Sequence, residues 1–193
     1  RCILMNKNTK VLEAEYNEKI ASFTNIYNIE NIDYAPIIIK NALKEKNNNI
    51  TILTEWFKGR GIPSWRDELD LLLAKLNITT REELLDKAFG LSLSDQYWIK
   101  PYNSNVQYKD INFFEHGFNS ADFTNITFSN SNDYSTKVNL VSPNNTTDGR
   151  LKKTWIIENK ERYLLKGGYK NEVLEPFNEV LASEICKRLG FNH

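Results

Sequence analysis

The stretch from Trp155 to Gly190 constrains the fold most. Trp155, Ile156 and Ile157 read as one short strand and Arg162 to Lys166 as the next, with Asn159 and Lys160 in the turn between them. Side chains alternate along a strand, so Tyr163 and Leu165 share one face and Leu164 and Lys166 the other. Gly167 and Gly168 end the second strand. Pro176 suits the first turn of a helix. Phe177, Val180, Leu181, Ile185 and Leu189 then recur at helical spacing, which predicts a buried stripe, and Gly190 supplies the stop. A hairpin closed by a helix places this end of the chain in the α+β class.

The charges within this unit carry the chemistry. Thr147, Asp148 and Gly149 precede the hairpin, where a glycine lets the backbone approach a ligand and turn N–H groups can hold phosphate oxygens. Asp-Gly is also an ordinary turn, and the stretch matches neither the Gly-Lys-Ser/Thr phosphate loop nor the three-glycine kinase loop. Arg150, Lys152 and Lys153 add a small basic patch. Lys166 is the lone charge in YLLKGG. If it points inward, its ammonium needs an anion, either bound phosphate or Glu179. If it points outward, its stem merely covers apolar surface. Glu179 lies on the flank of the helical stripe, turned towards the sheet or exposed, whereas Glu184 has Arg188 four residues on as a surface partner. Loop, strand lysine and helix carboxylate in this order can grip phosphates and steady the lysine.

The upstream chain reads less regularly. Ile3, Val11 and Ile20 lie in apolar patches that predict a small antiparallel sheet. Ile37 to Ile39 fit either a strand or the start of a helix after Pro36. An amphipathic segment ends at Gly59 or Gly61, and Ser64 is placed to cap a helix carrying Leu69, Leu72, Leu73 and Leu76. Thr80 and Glu83 predict a capping box for a second helix that ends at Gly90. A third short helix is expected from near Ser94 to before Pro101. Residues 102 to 141 predict turns, short strands or ordered loops draped over a core through Phe113, Phe114, Phe118, Phe123 and Phe128. The expected units are residues 1–101, a strand and helical subdomain, and 102–193, the phosphate-gripping lobe.

Composition excludes several classes. Twenty-five basic and 25 acidic residues cancel, which gives no general pull towards nucleic acid or anionic membrane. No apolar run is long enough to span a bilayer. Cys2 and Cys186 do not make a disulfide framework, and with no signal peptide a cytoplasmic protein is expected. On that route the five N-x-Ser/Thr sequons, at Asn49, Asn77, Asn125, Asn144 and Asn145, are accidents of an asparagine-rich chain. His116 and His193 lack metal-ligand spacing, and no metal site is expected. Trp56, Trp65, Trp98 and Trp155 read as core or interface residues.

LSLSDQYWIKP at Leu91–Pro101, YKDINFFEHGF at Tyr108–Phe118, SPNNTTDGRLKKTWII at Ser142–Ile157, YLLKGG at Tyr163–Gly168 and EPFNEVLASEICKRLG at Glu175–Gly190 resemble the HipA-like serine/threonine kinases, in particular a divergent branch from Gram-positive bacteria. The resemblance implies a protein-kinase-like N-terminal lobe with an additional N-terminal subdomain. It implies that Thr147, Asp148, Gly149 and Lys152 belong to the phosphate loop, that Lys166 contacts nucleotide, and that Glu179 is the helix glutamate. It implies ATP with Mg2+ in the complete protein, a protein substrate and an antitoxin-like partner. The family's catalytic aspartate and metal ligands belong to a C-terminal lobe, and nothing after Gly190 carries them. The chain is therefore expected to be an N-terminal fragment, inactive alone and without tight nucleotide binding. The alternative is a non-catalytic interaction or regulatory module completed by a partner protein.

Overall fold

A computed structural model of the chain describes residues 1–45, 49–118, 120–129, 138–169 and 174–191. It is an α+β structure. Strands β1 (Cys2–Asn6), β2 (Thr9–Asn17), β3 (Ser22–Ile29) and β4 (Tyr97–Pro101) form an antiparallel sheet in the order β3-β2-β1-β4. β1 is central, and its alternation serves two cores. Cys2 and Leu4 pack with Leu12, Ile39, Leu53 and Phe57 on one face. Ile3 and Met5 pack with Leu91, Trp98, Tyr108 and Phe113 on the other. The segment expected to be a third helix is instead β4. Ser94 and Asp95 resemble a helix start, but Asp95 Oδ1 accepts the Tyr97 N–H at 3.0 Å, an Asx turn that feeds the chain into the strand. Asp95 also accepts two bonds from Arg60, at 2.6 and 2.8 Å.

The apolar run after Pro36 resolves as helix α1 (Ile37–Glu45), and α2 (Asn49–Lys58) packs beside it over the sheet. α3 (Leu69–Leu76) starts after Glu68, which has a left-handed backbone, so Ser64 is not its cap. α4 (Arg81–Lys87) has the expected cap: Thr80 Oγ1 accepts the Glu83 N–H at 3.1 Å, and the Glu83 carboxylate reaches back to the Thr79 N–H. Gly90 follows at φ +64°, with the Phe57 ring so close that a Cβ there would clash. The connector is more helical than expected. It holds α5 (Tyr108–Ile111) and α6 (Ser120–Phe128). Phe123 and Ile126 of α6 join Leu69, Leu73, Leu76 and Leu84 in a third core. Packing therefore runs across Pro101 at both Tyr108 and Phe123.

The chain then makes a 3-10 turn at Pro143–Thr146 and a two-stranded hairpin, β5 (Lys153–Glu158) and β6 (Glu161–Lys166), before α7 (Leu174–Arg188). Asn159 and Lys160 both have positive φ, 52° and 70°, the conformation of a type I′ hairpin turn. The stripe expected to be buried on α7 is not. Phe177 and Val180 are each 64% exposed and Leu189 is 66% exposed. No described helix is long and apolar enough to cross a membrane.

Candidate functional site

The loop in front of β5 is held from below by side chains that look like surface residues in the sequence. Ser142 Oγ accepts the Asn144 N–H, and Asn144 Oδ1 accepts the Trp155 N–H at 2.5 Å. Asn145 Nδ2 donates to the carbonyls of Leu84 at 2.8 Å and Leu140 at 2.6 Å. Both asparagines are buried and anchor the loop through these bonds, while Asn144 Nδ2 and Asn145 Oδ1 are buried without a partner among the described residues. Thr147 is buried too. Its hydroxyl donates to the Asn144 carbonyl and accepts from the Arg66 guanidinium, so its side chain faces the protein. Asp148 is exposed, and its Oδ1 accepts the Gly149 N–H at 2.6 Å.

Gly149 occupies a position where a side chain would strain the backbone and displace Lys153. Its φ is +93°, and a Cβ there would lie 2.6 Å from Lys153 Nζ. Lys153, read from the sequence as part of the basic patch but not singled out as a site residue, is thus the lysine lying against the glycine turn. Lys152 instead pairs with Glu68 at 2.6 Å. Strand alternation separates these neighbours, and the sequence alone does not say which one turns to the loop.

Lys153 and Lys166 stand directly opposite each other across β5 and β6. Their side chains share a face, an arrangement of like charges that is unfavourable unless an anion lies near. Burial, then Arg66 and Lys166, hold the Lys153 ammonium below its ordinary pKa, while Asp148 and Glu179 oppose the shift. Lys166 Nζ is 2.9 and 3.0 Å from the two Glu179 oxygens. The pair is solvent-facing, with side chains 38% and 55% exposed. A further bond, Tyr169 N–H to Glu175 Oε2 at 3.3 Å, also ties α7 to the end of the hairpin. Among the described residues this sheet has two strands, and Lys166 is the last residue of the second.

The structure thus brings Gly149, Lys153, Lys166 and Glu179 around one face, with Asp148 at its rim. Thr147 lies beneath and Lys152 is turned towards Glu68. A nearby hollow lined by Ile62, Arg66, Lys75, Phe123, Asn144 and Lys153 has a volume of about 20 Å³, the room of one water molecule. An anion larger than that does not fit this hollow. Among the described residues no group of three or more His, Cys, Asp or Glu side chains is arranged to hold a metal ion. His193 lies outside the described residues, and the His116 ring lies against the Lys109 carbonyl. Elsewhere, a hollow of about 380 Å³ lies over Tyr16, Phe57, Asp86 and Phe89. There Tyr16 donates its hydroxyl hydrogen to Asp86 at 3.1 Å.

No family model matches this chain, and no curated protein or solved structure is significantly similar to it.

Proposed function

We propose that residues 147–153, Lys166 and Glu179 form the phosphate-gripping part of a HipA-like serine/threonine kinase, the N-terminal lobe of a protein-kinase-like fold. The observation that carries this reading is the pair of lysines facing each other on β5 and β6 beside a glycine turn, with Glu179 steering one of them. Two ammonium groups on one face suit the spread negative charge of a triphosphate. Glu179 orients Lys166 more than it stabilises the fold, since an exposed pair contributes at most about 1 kcal/mol.

The fit is to the phosphates. ATP would lie against Gly149, Lys153 and Lys166 and would supply the phosphoryl group for transfer to a hydroxyl of a protein substrate. The described residues offer no cluster for Mg2+. The metal and the catalytic base belong in this reading to a C-terminal lobe, and an antitoxin-like protein is the expected regulator. The setting is the bacterial cytoplasm.

Titration with ATP, followed by amide chemical shifts, tests the reading. Weak saturable shifts are expected at residues 147–153 and Lys166, and Lys166→Ala should abolish them. The chain alone should not transfer phosphate. Absence of any shift at these positions sinks the reading. Robust kinase activity of this chain, lost on Lys166→Ala, sinks the idea that it is only part of an enzyme.

A second reading, a non-catalytic module that binds another protein, is favoured by the bare stripe of α7. Tight protein binding that survives Lys166→Ala would select it.

A further inference from the structure

We propose that Arg66 is a positioning residue that shapes the loop at residues 147–152, and that Arg66, Asp67 and Glu68 together clamp it; the ligand this loop serves rests on the reading given above. Arg66 precedes α3, far from the loop in sequence. It is only 6% exposed, and among the described residues no carboxylate lies within 4 Å of it. The loop itself satisfies the guanidinium. Nε donates to the Gly149 carbonyl at 2.5 Å, and one NH2 group donates to the Thr147 carbonyl at 2.6 Å. Both NH2 groups also reach Thr147 Oγ1, at 3.2 and 3.3 Å.

The next two residues extend the grip. Asp67 donates its N–H to the Arg150 carbonyl at 2.9 Å and accepts from the Arg150 side chain at 3.3 Å. Glu68 holds Lys152. Residues 66, 67 and 68 thus take successive positions along the loop. Burial without a counter-ion pushes the Arg66 pKa down to about 10, partly offset by Asp148 and Asp67.

The consequence follows from peptide geometry. In a trans peptide the carbonyl and the following N–H point in opposite directions. With the carbonyls of Thr147 and Gly149 drawn down onto Arg66, the N–H groups of Asp148 and Arg150 point the other way. Neither has a hydrogen-bond partner among the described residues. Two outward amides can donate to phosphate oxygens, with the Asp148 carboxylate, which holds the Gly149 N–H between them, as the competitor an anion must displace. A planar fork holds the two carbonyls in one fixed geometry, whereas a lysine's ammonium turns freely on a flexible stem and sets no such angle between them.

The test uses the whole chain and two readouts. Amide order parameters of Asp148–Arg150 should fall from about 0.85 to below about 0.6 in Arg66→Gln, while those of β1, β2 and β4 stay unchanged. ATP affinity should fall about 10- to 100-fold in the same variant, the range for loss of hydrogen bonds to a charged group. Arg66→Lys should recover neither readout fully; complete recovery would overturn the fork argument. Unchanged order parameters in Arg66→Gln, or an equal loss across the sheet, would overturn the clamp. If Arg66→Gln does not fold, Thr147→Val removes the hydroxyl's contacts with Arg66 and with the Asn144 carbonyl, and it should loosen the same three amides; rigid amides there would also overturn the proposal. If the unaltered chain binds no ATP, the phosphate reading falls, while the order parameters still decide the clamp.

Discussion

The four-stranded sheet and the β5–β6 hairpin are both built from alternating apolar strands, and each has an amphipathic helix beside it. Only the first packs most of its apolar residues away from water. Val11, Leu12, Leu4 and Leu53 are fully buried between the sheet and α1–α2, whereas Tyr163, Leu165 and the whole stripe of α7 are exposed. Hydrophobic spacing marks which face of an element seeks burial; it does not say what covers that face. In the sheet region α2 supplies the cover. At the hairpin, polar links tie α7 to the rest: the Lys166–Glu179 pair and the Tyr169–Glu175 bond.

The largest expected effect breaks or confirms this contrast directly. Leu12→Ala removes a fully buried side chain, and the cavity it leaves should lower stability by about 2–5 kcal/mol. Leu181→Ala makes the same chemical change on α7, where the side chain is already half in water, and should shift stability by less than about 0.5 kcal/mol. Urea unfolding of the two variants measures both. A loss of several kcal/mol for Leu181→Ala would mean that α7 is packed in solution.

Charge shows the same contrast. In the packed region burial, reinforced by Glu18, Glu82 and Glu83, pushes the Asp86 carboxyl up to about 7, against the opposing bond from Tyr16. A carboxyl with a raised folded pKa binds its proton more tightly in the folded state. Its favourable contribution is complete below the ordinary value of 3.8 and is lost as pH rises through about 7. Asp86→Asn should therefore flatten the fall of stability between about pH 4 and about pH 7. After allowance for solvent screening, the variant should be about 1–2 kcal/mol more stable than the unaltered chain at about pH 8. Equal slopes for the two proteins would show that Asp86 is better solvated than its position implies.

What was legible in the sequence follows from how local each signal is. The Thr80–Glu83 cap, the turn at Asn159–Lys160 and the left-handed Gly90 are each set by a few neighbouring residues, and each forms where its residues predict. The sequence around β4 predicts a helix because the strand's partner, β1, is more than 90 residues away; Tyr97–Pro101 is a strand through that pairing. The connector's Asn and Ser residues hid α6, whose burial comes from α3. At the site, Lys166 and Glu179 were legible as a pair because an isolated charge in an apolar strand needs an explanation. Arg66 was not. In WRDEL it looks like one more surface charge, and only the folded chain puts the Thr147 and Gly149 carbonyls against it. Lys153 is legible as a basic residue beside the loop, but which of Lys152 and Lys153 turns to the glycine is set by the fold.

The loop allows an intermediate effect that sharpens the comparison. Gly149→Ala forces a positive φ on a residue with a side chain and places its Cβ on Lys153. The backbone strain should cost about 1 kcal/mol in stability, because the lysine end can swing aside. The displaced ammonium should weaken ATP binding beyond what that small loss implies. Asp148→Ala should act in the opposite sense on binding, since it frees the Gly149 N–H from the carboxylate that now holds it. Titration of both variants with ATP, beside urea unfolding, separates the two effects. Parallel loss of binding in both would place the anion elsewhere.

The smallest expected effect on stability carries the most functional weight. Lys166→Met keeps an apolar stem on β6 and removes the ammonium. Because Lys166 and Glu179 are both well exposed, loss of their contact should change unfolding free energy by less than about 0.5 kcal/mol. It should nevertheless abolish the ATP-induced shifts at residues 147–153, since two facing ammonium groups become one. Glu179→Gln should again leave stability almost unchanged, and should weaken the nucleotide response without abolishing it, because Glu179 acts by orienting Lys166. If Lys166→Met instead costs several kcal/mol, the pair is a structural fastening for α7. If it changes neither stability nor binding, Lys166 is a surface lysine at a strand end, and the facing lysines are not an anion site.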